Sequence, residues 1–273
     1  MKTILAPTDY SDVANNTLQY AAELAKYSKA KLILMHVYQI PIPSGEVPVM
    51  MITPQEFEKE NKRRIKHLEN KISAETKGNL KIESIVRAGF PVDEISDVIK
   101  ETDADLVIMG ITGEKISEVL IGSHTTALIK RTRTPVLVIP KGARFGKIKK
   151  IALASDYNDA VNRDAVQKVK SFAKFFKAQV LVLDVERPEE IPIFENTVGG
   201  EKLEKLLHDV EHSLFYSSAD DITDGLNSFA ADHQCDWIAM IPHKHTVLGK
   251  LFHKSNTKKM AFHTHVPLLS IHE

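Results

Sequence analysis

The residues best suited to chemistry are Gly110-Ile111-Thr112-Gly113 and, eight residues on, Gly122-Ser123-His124-Thr125. Glycine lets the main chain turn sharply and come close to a ligand with no Cβ in the way. A helical run opens at Gly122-Ser123. The first amides of a helix have no internal partner, so hydrogen bonding and the helix dipole both favour an anion there. Ser123 and Thr125 add hydroxyl donors, and the segment reads as an uncharged phosphate cradle. A plainer reading fits the same residues: Gly110 and Gly113 shape a turn, and Ser123 caps the helix. No Walker lysine pattern and no Gly-x-Gly-x-x-Gly occurs, which excludes the common mononucleotide and dinucleotide loops.

Such a loop needs a scaffold, and the hydrophobic pattern supplies one. Short continuous apolar runs predict strands at 3–7, 31–37, 80–87, 105–109 and 135–139, of the kind buried on both faces of a parallel sheet. Between them, helical periodicity covers 11–28, 55–75, 92–102 and 123–133. Strand and helix alternating in this way predict a doubly wound, Rossmann-like α/β layer structure. Ligands of open parallel sheets bind beyond the carboxyl ends of the strands, where the winding reverses. Asp9 follows the first strand, Val37-Tyr38 the second and Gly110 the fourth.

The pattern is written twice. Ile4-Leu5-Ala6-Pro7-Thr8-Asp9-Tyr10 returns as Ile151-Ala152-Leu153-Ala154-Ser155-Asp156-Tyr157. In the helices that follow, Ala14, Leu18, Ala22 and Ala25 match Val161, Ala165, Val169 and Phe172 with the same steps. Lys31–Val37 returns as Gln179–Val185, Ala104–Met109 as Cys235–Met240, and Thr134–Ile139 as His265–Ile271. The chain is therefore expected to hold two tandem domains, 1–140 and 148–273, each a five-stranded parallel sheet flanked by helices. The basic, glycine-bearing stretch 141–147 would link them. At the stations of the three glycines the second copy has Ile241, Lys244 and Lys254, and Pro242 stiffens the turn. A β-branched side chain enters the ligand's space, so the second copy is expected to be a structural pseudo-site.

Composition narrows the partners. With 36 basic and 36 acidic side chains the formal charge is zero, which disfavours nucleic acid. Cys235 is the only cysteine, so no internal disulfide forms and a reducing compartment is expected. The N-terminal residues lack the apolar stretch of an export signal, and no segment is apolar for long enough to span a bilayer. The expected location is cytoplasmic. The charged helix Glu58–Lys71 could serve as a partner face, but a charge run of this kind is usually just solvated.

Thr8-Asp9 after the first strand, the Gly89-Phe90-Pro91 step before a helix, and Gly-x-x-Gly followed by Gly-Ser resemble the universal stress protein family. The doubled arrangement resembles its tandem-domain members. The resemblance implies a stress-response role and ATP, an adenine nucleotide, as ligand. It implies that Asp9 contacts the adenosine part, with Pro7 and Thr8 lining that pocket, and that the main chain at Val37 meets the adenine edge. Met109 and Gly110 would pack near base and ribose, while Gly113, Gly122, Ser123, His124 and Thr125 would hold the phosphates. It also implies pairing of the last strands, Val136–Ile139 with Leu268–Ile271, within the chain. A homodimer and an as yet unknown protein partner are compatible with it. The family places nine residues between its second and third glycines; here Glu114–Ile121 supplies eight, while the second copy keeps nine.

Three other functions compete. His243 with His245 and His263 with His265, near His253 and His272, have spacings that could ligate zinc, but they fall in predicted loops and helix ends without companion cysteines. Scattered surface histidines explain them more simply. For an enzyme, Pro7-Thr8-Asp9 is not the Ser-Gly-Gly type loop of adenylating enzymes. No nucleophile–base arrangement stands out, and Glu114, Lys115 and Glu118 would support at most slow, incidental ATP hydrolysis. The third is an adaptor that binds no nucleotide, and the shortened loop favours it.

Overall fold

The computed structural model describes residues 1–40, 53–111, 123–155, 162–186, 198–241 and 266–272. Its first copy contains β1 (Thr3–Pro7), α1 (Asp12–Ser28), β2 (Lys31–Tyr38), α2 (Pro54–Glu75), β3 (Ile82–Ala88), α3 (Pro91–Thr102), β4 (Leu106–Gly110), α4 (Ser123–Arg131) and β5 (Val136–Ile139). The second contains β6 (Lys150–Ala154), α5 (Arg163–Phe176), β7 (Gln179–Glu186), α6 (Val198–Leu207), β8 (His212–Ser218), α7 (Ile222–Asp232), β9 (Trp237–Met240) and β10 (Leu268–Ser270). The predicted elements of the first copy are all present, with ends within two residues of expectation.

Contacts divide the chain into two compact units, Met1–Met109 and Gly110–Glu273. In the first, β3, β2, β1 and β4 lie side by side in that order, all parallel. In the second, β10, β9, β6, β7 and β8 form a five-stranded parallel sheet. There β5 pairs antiparallel with β10, setting Leu268 against Val138, Leu269 against Leu137 and Ser270 against Val136. The expected pairing of the last strands is thus present. Because that ladder anchors β5, the contact division follows strand pairing and not the repeat written in the sequence.

Local chemistry fixes the starts of α1, α2, α3 and α5. Ser11 caps α1 by accepting from the Ala14 amide at 3.2 Å, and Asn162 caps α5 by accepting from the Ala165 amide at 2.9 Å. Helix α2 opens with a capping box in which Thr53 and Glu56 satisfy each other's amides, and Pro54 occupies its first turn. Helix α3 starts at Pro91, with Asp93 and Glu94 in its first turn complementing the dipole.

One carboxylate in each copy ties two strand starts together. Asp105 Oδ2 accepts from the amides of Lys2 and Thr3 at 2.5 and 2.9 Å. Asp236 Oδ2 accepts from those of Lys149 and Lys150 at 2.6 and 2.9 Å. The repeat thus extends to its hydrogen bonds.

The helix match needs one correction. Lys29 and Lys177 both end their helices in the left-handed conformation at φ 55°. The next amides, of Ala30 and Ala178, return to the carbonyls of Ala25 and Ala173, both at 2.9 Å. Lys177 is therefore the counterpart of Lys29, one residue further along than the strands, where Lys150 matches Thr3. Leu18 corresponds to Val166, Ala21 to Val169 and Ala25 to Ala173, not Leu18 to Ala165 or Ala25 to Phe172. The second copy carries one extra residue between β6 and α5. A loop absorbs it, and because buried positions recur at steps of three and four, a one-residue slip leaves a plausible stripe. Val161 lies outside the described residues.

The cores are apolar and closed. Ile4, Leu5, Leu32, Ile33, Leu34, Leu106 and Val107 are fully buried in the first unit. In the second, Trp237 is fully buried, with Phe172 and Phe176 edge-on to it at 5.8 and 5.1 Å between ring centroids.

Candidate functional site

The strand order of the first unit contains a reversal. The chain steps from β1 to β2 to β3 in one direction, then crosses back to lay β4 on the other side of β1. The crevice beyond the carboxyl ends of β1 and β4 is the topological switch point, where open α/β sheets bind their ligands. Pro7 is the last residue of β1 and Met109 the last but one of β4. Met109 is buried, Pro7 and Gly110 are half-buried, and Asp9 is exposed.

A tight turn holds Asp9 there. Thr8 is buried; its amide donates to the Met35 carbonyl at 2.8 Å, and its hydroxyl oxygen accepts from the Tyr10 amide at 3.0 Å. Asp9 Oδ1 accepts from the Ser11 amide at 3.0 Å, and among the described residues its other oxygen has no hydrogen-bond partner. Tyr10 then takes a left-handed φ of 66°, uncommon for a residue with a side chain.

Val37 supplies main-chain groups by a register argument. In a parallel strand, alternate residues direct their N–H and C=O groups to the same neighbour. Met35 bonds toward β1 and Tyr38 accepts from the Gly89 amide on the β3 side at 3.0 Å. Val37 therefore faces the β1 side, where the ladder has already ended at the Pro7–Met35 pair. Its N–H and C=O look out beyond β1, as the edge of a base would require.

In the second unit, α4 starts at Ser123, so Ser123 is the first helical residue and not the cap that precedes it. His124 is exposed. Thr125 is buried, and its hydroxyl donates to the Gly110 carbonyl at 3.4 Å. Gly113 and Gly122, with Glu114, Lys115 and Glu118, lie outside the described residues. So do Asp156, Lys244 and Lys254 of the second copy, and His243, His245, His253, His263 and His265. Ile241, the counterpart of Gly110, is buried directly after β9. Among the described residues no cluster of three or more metal-ligating side chains occurs, and no helix is long and apolar enough to cross a membrane.

Sequence reasoning passed over three residues that surround the turn. His36 Nδ1 lies 2.7 Å from the Thr8 carbonyl; a carbonyl only accepts, so Nδ1 carries the proton. The His36 ring packs on the Tyr10 ring with centroids 4.4 Å apart, and the Arg64 guanidinium sits 4.4 Å from the Tyr10 centroid. Burial pushes the Tyr10 hydroxyl up to about 12, against a smaller opposing pull from Arg64. The signal available was the tyrosine itself, which follows aspartate in both copies.

Comparison with known proteins points one way. The sequence profile of the universal stress protein family matches residues 1–140. A universal stress protein of Methanocaldococcus jannaschii is 27% identical over 154 residues, which cover 51% of this chain and 95% of that protein. One from Synechocystis is 26% identical over 293 residues, spanning 99% of both chains. The crystal structure of a universal stress protein from Archaeoglobus fulgidus covers 99% of this chain and 96% of that one, with a TM-score of 0.73 and 16% identity. At that identity the likeness speaks for the fold alone, two α/β halves in tandem.

Proposed function

The chain belongs to the universal stress protein family, and on that premise we propose that its first copy binds an adenine nucleotide, ATP, in a stress-response role. The supporting observation is the switch point, with an exposed carboxylate at the end of β1 and outward-facing Val37 main-chain groups beside it. In this reading Asp9 holds the sugar, Val37 meets the base edge, and Met109 packs near the base. Gly110, Gly113, Gly122, Ser123, His124 and Thr125 are assigned to the phosphates by the family resemblance. Nucleotide binding lies within the family's range, since one universal stress protein has been crystallised in complex with cAMP.

We assign no dedicated catalysis to the chain, and any ATP hydrolysis is slow and incidental. Its expected setting is the cytoplasm. The second copy is assigned a structural role, because the β-branched Ile241, which is buried, stands at the station of Gly110. A second reading, an adaptor acting through protein contacts, draws on the loop of eight residues between Gly113 and Gly122. Calorimetric titration of ATP into the full chain and into Gly113→Val separates the two. Saturable binding abolished by the substitution supports the nucleotide reading; no binding by the unmodified protein supports the adaptor.

A further inference from the structure

Helix α2 carries its positive charges in two ways. Lys62, Arg63 and Lys66 are each paired with a carboxylate of the same helix, with Glu58, Glu60 and Glu69 at 2.5, 2.8 and 2.6 Å. Arg64, His67 and Lys71 have no ion pair among the described residues. These three recur at the steps of three and four that put side chains on one helix face. Arg64 and Lys71 thus leave two positive charges unpaired on that face, with the His67 imidazole between them.

All three side chains of the stripe are exposed. Arg64, His67 and Lys71 line a cavity of about 390 Å³ together with Arg63, Leu68 and Tyr10, and no carboxylate lines it. The phenol oxygen of Tyr10 is buried and makes no hydrogen bond. A buried hydroxyl without an acceptor is rare in folded proteins, and here the ring that carries it lies under the Arg64 guanidinium. The ring is fixed between His36 and Arg64, so the donor is held in place in advance. The Arg64 guanidinium over that ring makes no ion pair among the described residues and keeps N–H groups for an acceptor.

We propose that this cavity is an anion site separate from the nucleotide crevice, and that it takes a small polyanion of the oligophosphate class. Size follows from the helix. Arg64 and Lys71 stand two turns apart, about 10 Å along the axis, so a ligand that engages both is extended and carries charge at both ends. The guanidinium and the ammonium only donate, and the phenol is a donor without an acceptor, which matches an all-acceptor ligand. The proposal does not depend on the nucleotide reading.

The test uses tripolyphosphate as the probe, titrated calorimetrically into the full chain carrying Gly113→Val, so that the phosphate loop assigned to the nucleotide is disabled. Saturable binding is expected in that background. Adding Arg64→Gln and Lys71→Gln should weaken it at least about tenfold. Adding Lys62→Gln and Lys66→Gln, which removes the same charge from the paired cations, should change it less than about threefold. All four positions are exposed, and circular dichroism confirms folding of each variant. Absence of binding in the Gly113→Val background overturns the proposal, as does equal weakening by the two pairs, which would mark a diffuse field only. If tripolyphosphate binds while ATP does not bind the unmodified chain, this site stands and the nucleotide reading falls.

Discussion

The ammonium of Lys170, sunk into the face of α5, meets the carboxylate of Asp209 just beyond α6. Lys170 corresponds to Ala22 of the first copy, so the second copy has placed a charge where the first has a methyl group. Its Nζ also donates to the Leu206 carbonyl at 2.7 Å, and Asp209 takes a second ammonium from Lys174. Hydrogen bonds from the two lysines hold the Asp209 carboxyl well below the usual carboxylate range.

The sign of the resulting pH dependence is fixed. A depressed carboxylate stabilises the fold above its unfolded value of about 3.9, and that contribution is lost as the pH falls below it. Asp209→Asn should lower the urea midpoint at pH 7 and leave a shallower decline toward pH 3. Replacing the lysine instead, Lys170→Met, should be nearly neutral at pH 7, because it removes the buried charge as well as the pair. Equal losses from both substitutions would contradict this.

Tyr10→Phe should leave the fold as stable or raise it by up to about 1 kcal/mol, since it deletes a buried hydroxyl that no partner satisfies. The same residue makes the protein sensitive to alkali. The folded chain keeps the phenol proton up to about 12, whereas the unfolded chain releases it near pH 10. Stability present below pH 10 is therefore lost between about 10 and 12. Alkaline denaturation of the phenylalanine variant should lack that part of the decline.

Gly225→Ala tests the packing of α7 on β7. A Cβ at this position would stand 2.8 Å from Val185 Cγ1 and 3.0 Å from Ala219 Cβ, neither of which can swing away. Alanine gains about 1 kcal/mol of helix propensity, but overpacking costs about 1–3 kcal/mol. A net destabilisation of about 1–2 kcal/mol is expected, read as a lower denaturant midpoint with an unchanged slope.

The strands were legible because residues such as Ile33, Leu34 and Val107 are buried on both faces and announce it as unbroken apolar runs. The ends of those strands, and with them Asp9, Val37 and Met109, followed from the same pattern. The helix match slipped because a 3.6-residue period tolerates an insertion, and only the left-handed caps at Lys29 and Lys177 fix the register. The stripe on α2 was illegible for a different reason. In sequence Arg64 and Lys66 are equivalent charges on a solvated face. What separates them is that Glu69 reaches Lys66 while Arg64 lies over Tyr10, and no local pattern encodes a contact across so long a stretch of chain.

The account is tested most directly by a crystal of the full chain soaked in excess ATP. It predicts electron density for the nucleotide in the crevice beyond β1 and β4, the sugar against the Asp9 carboxylate and the base beside Val37 and Met109. A crevice left empty at saturating nucleotide, or filled by the protein's own side chains, would contradict it.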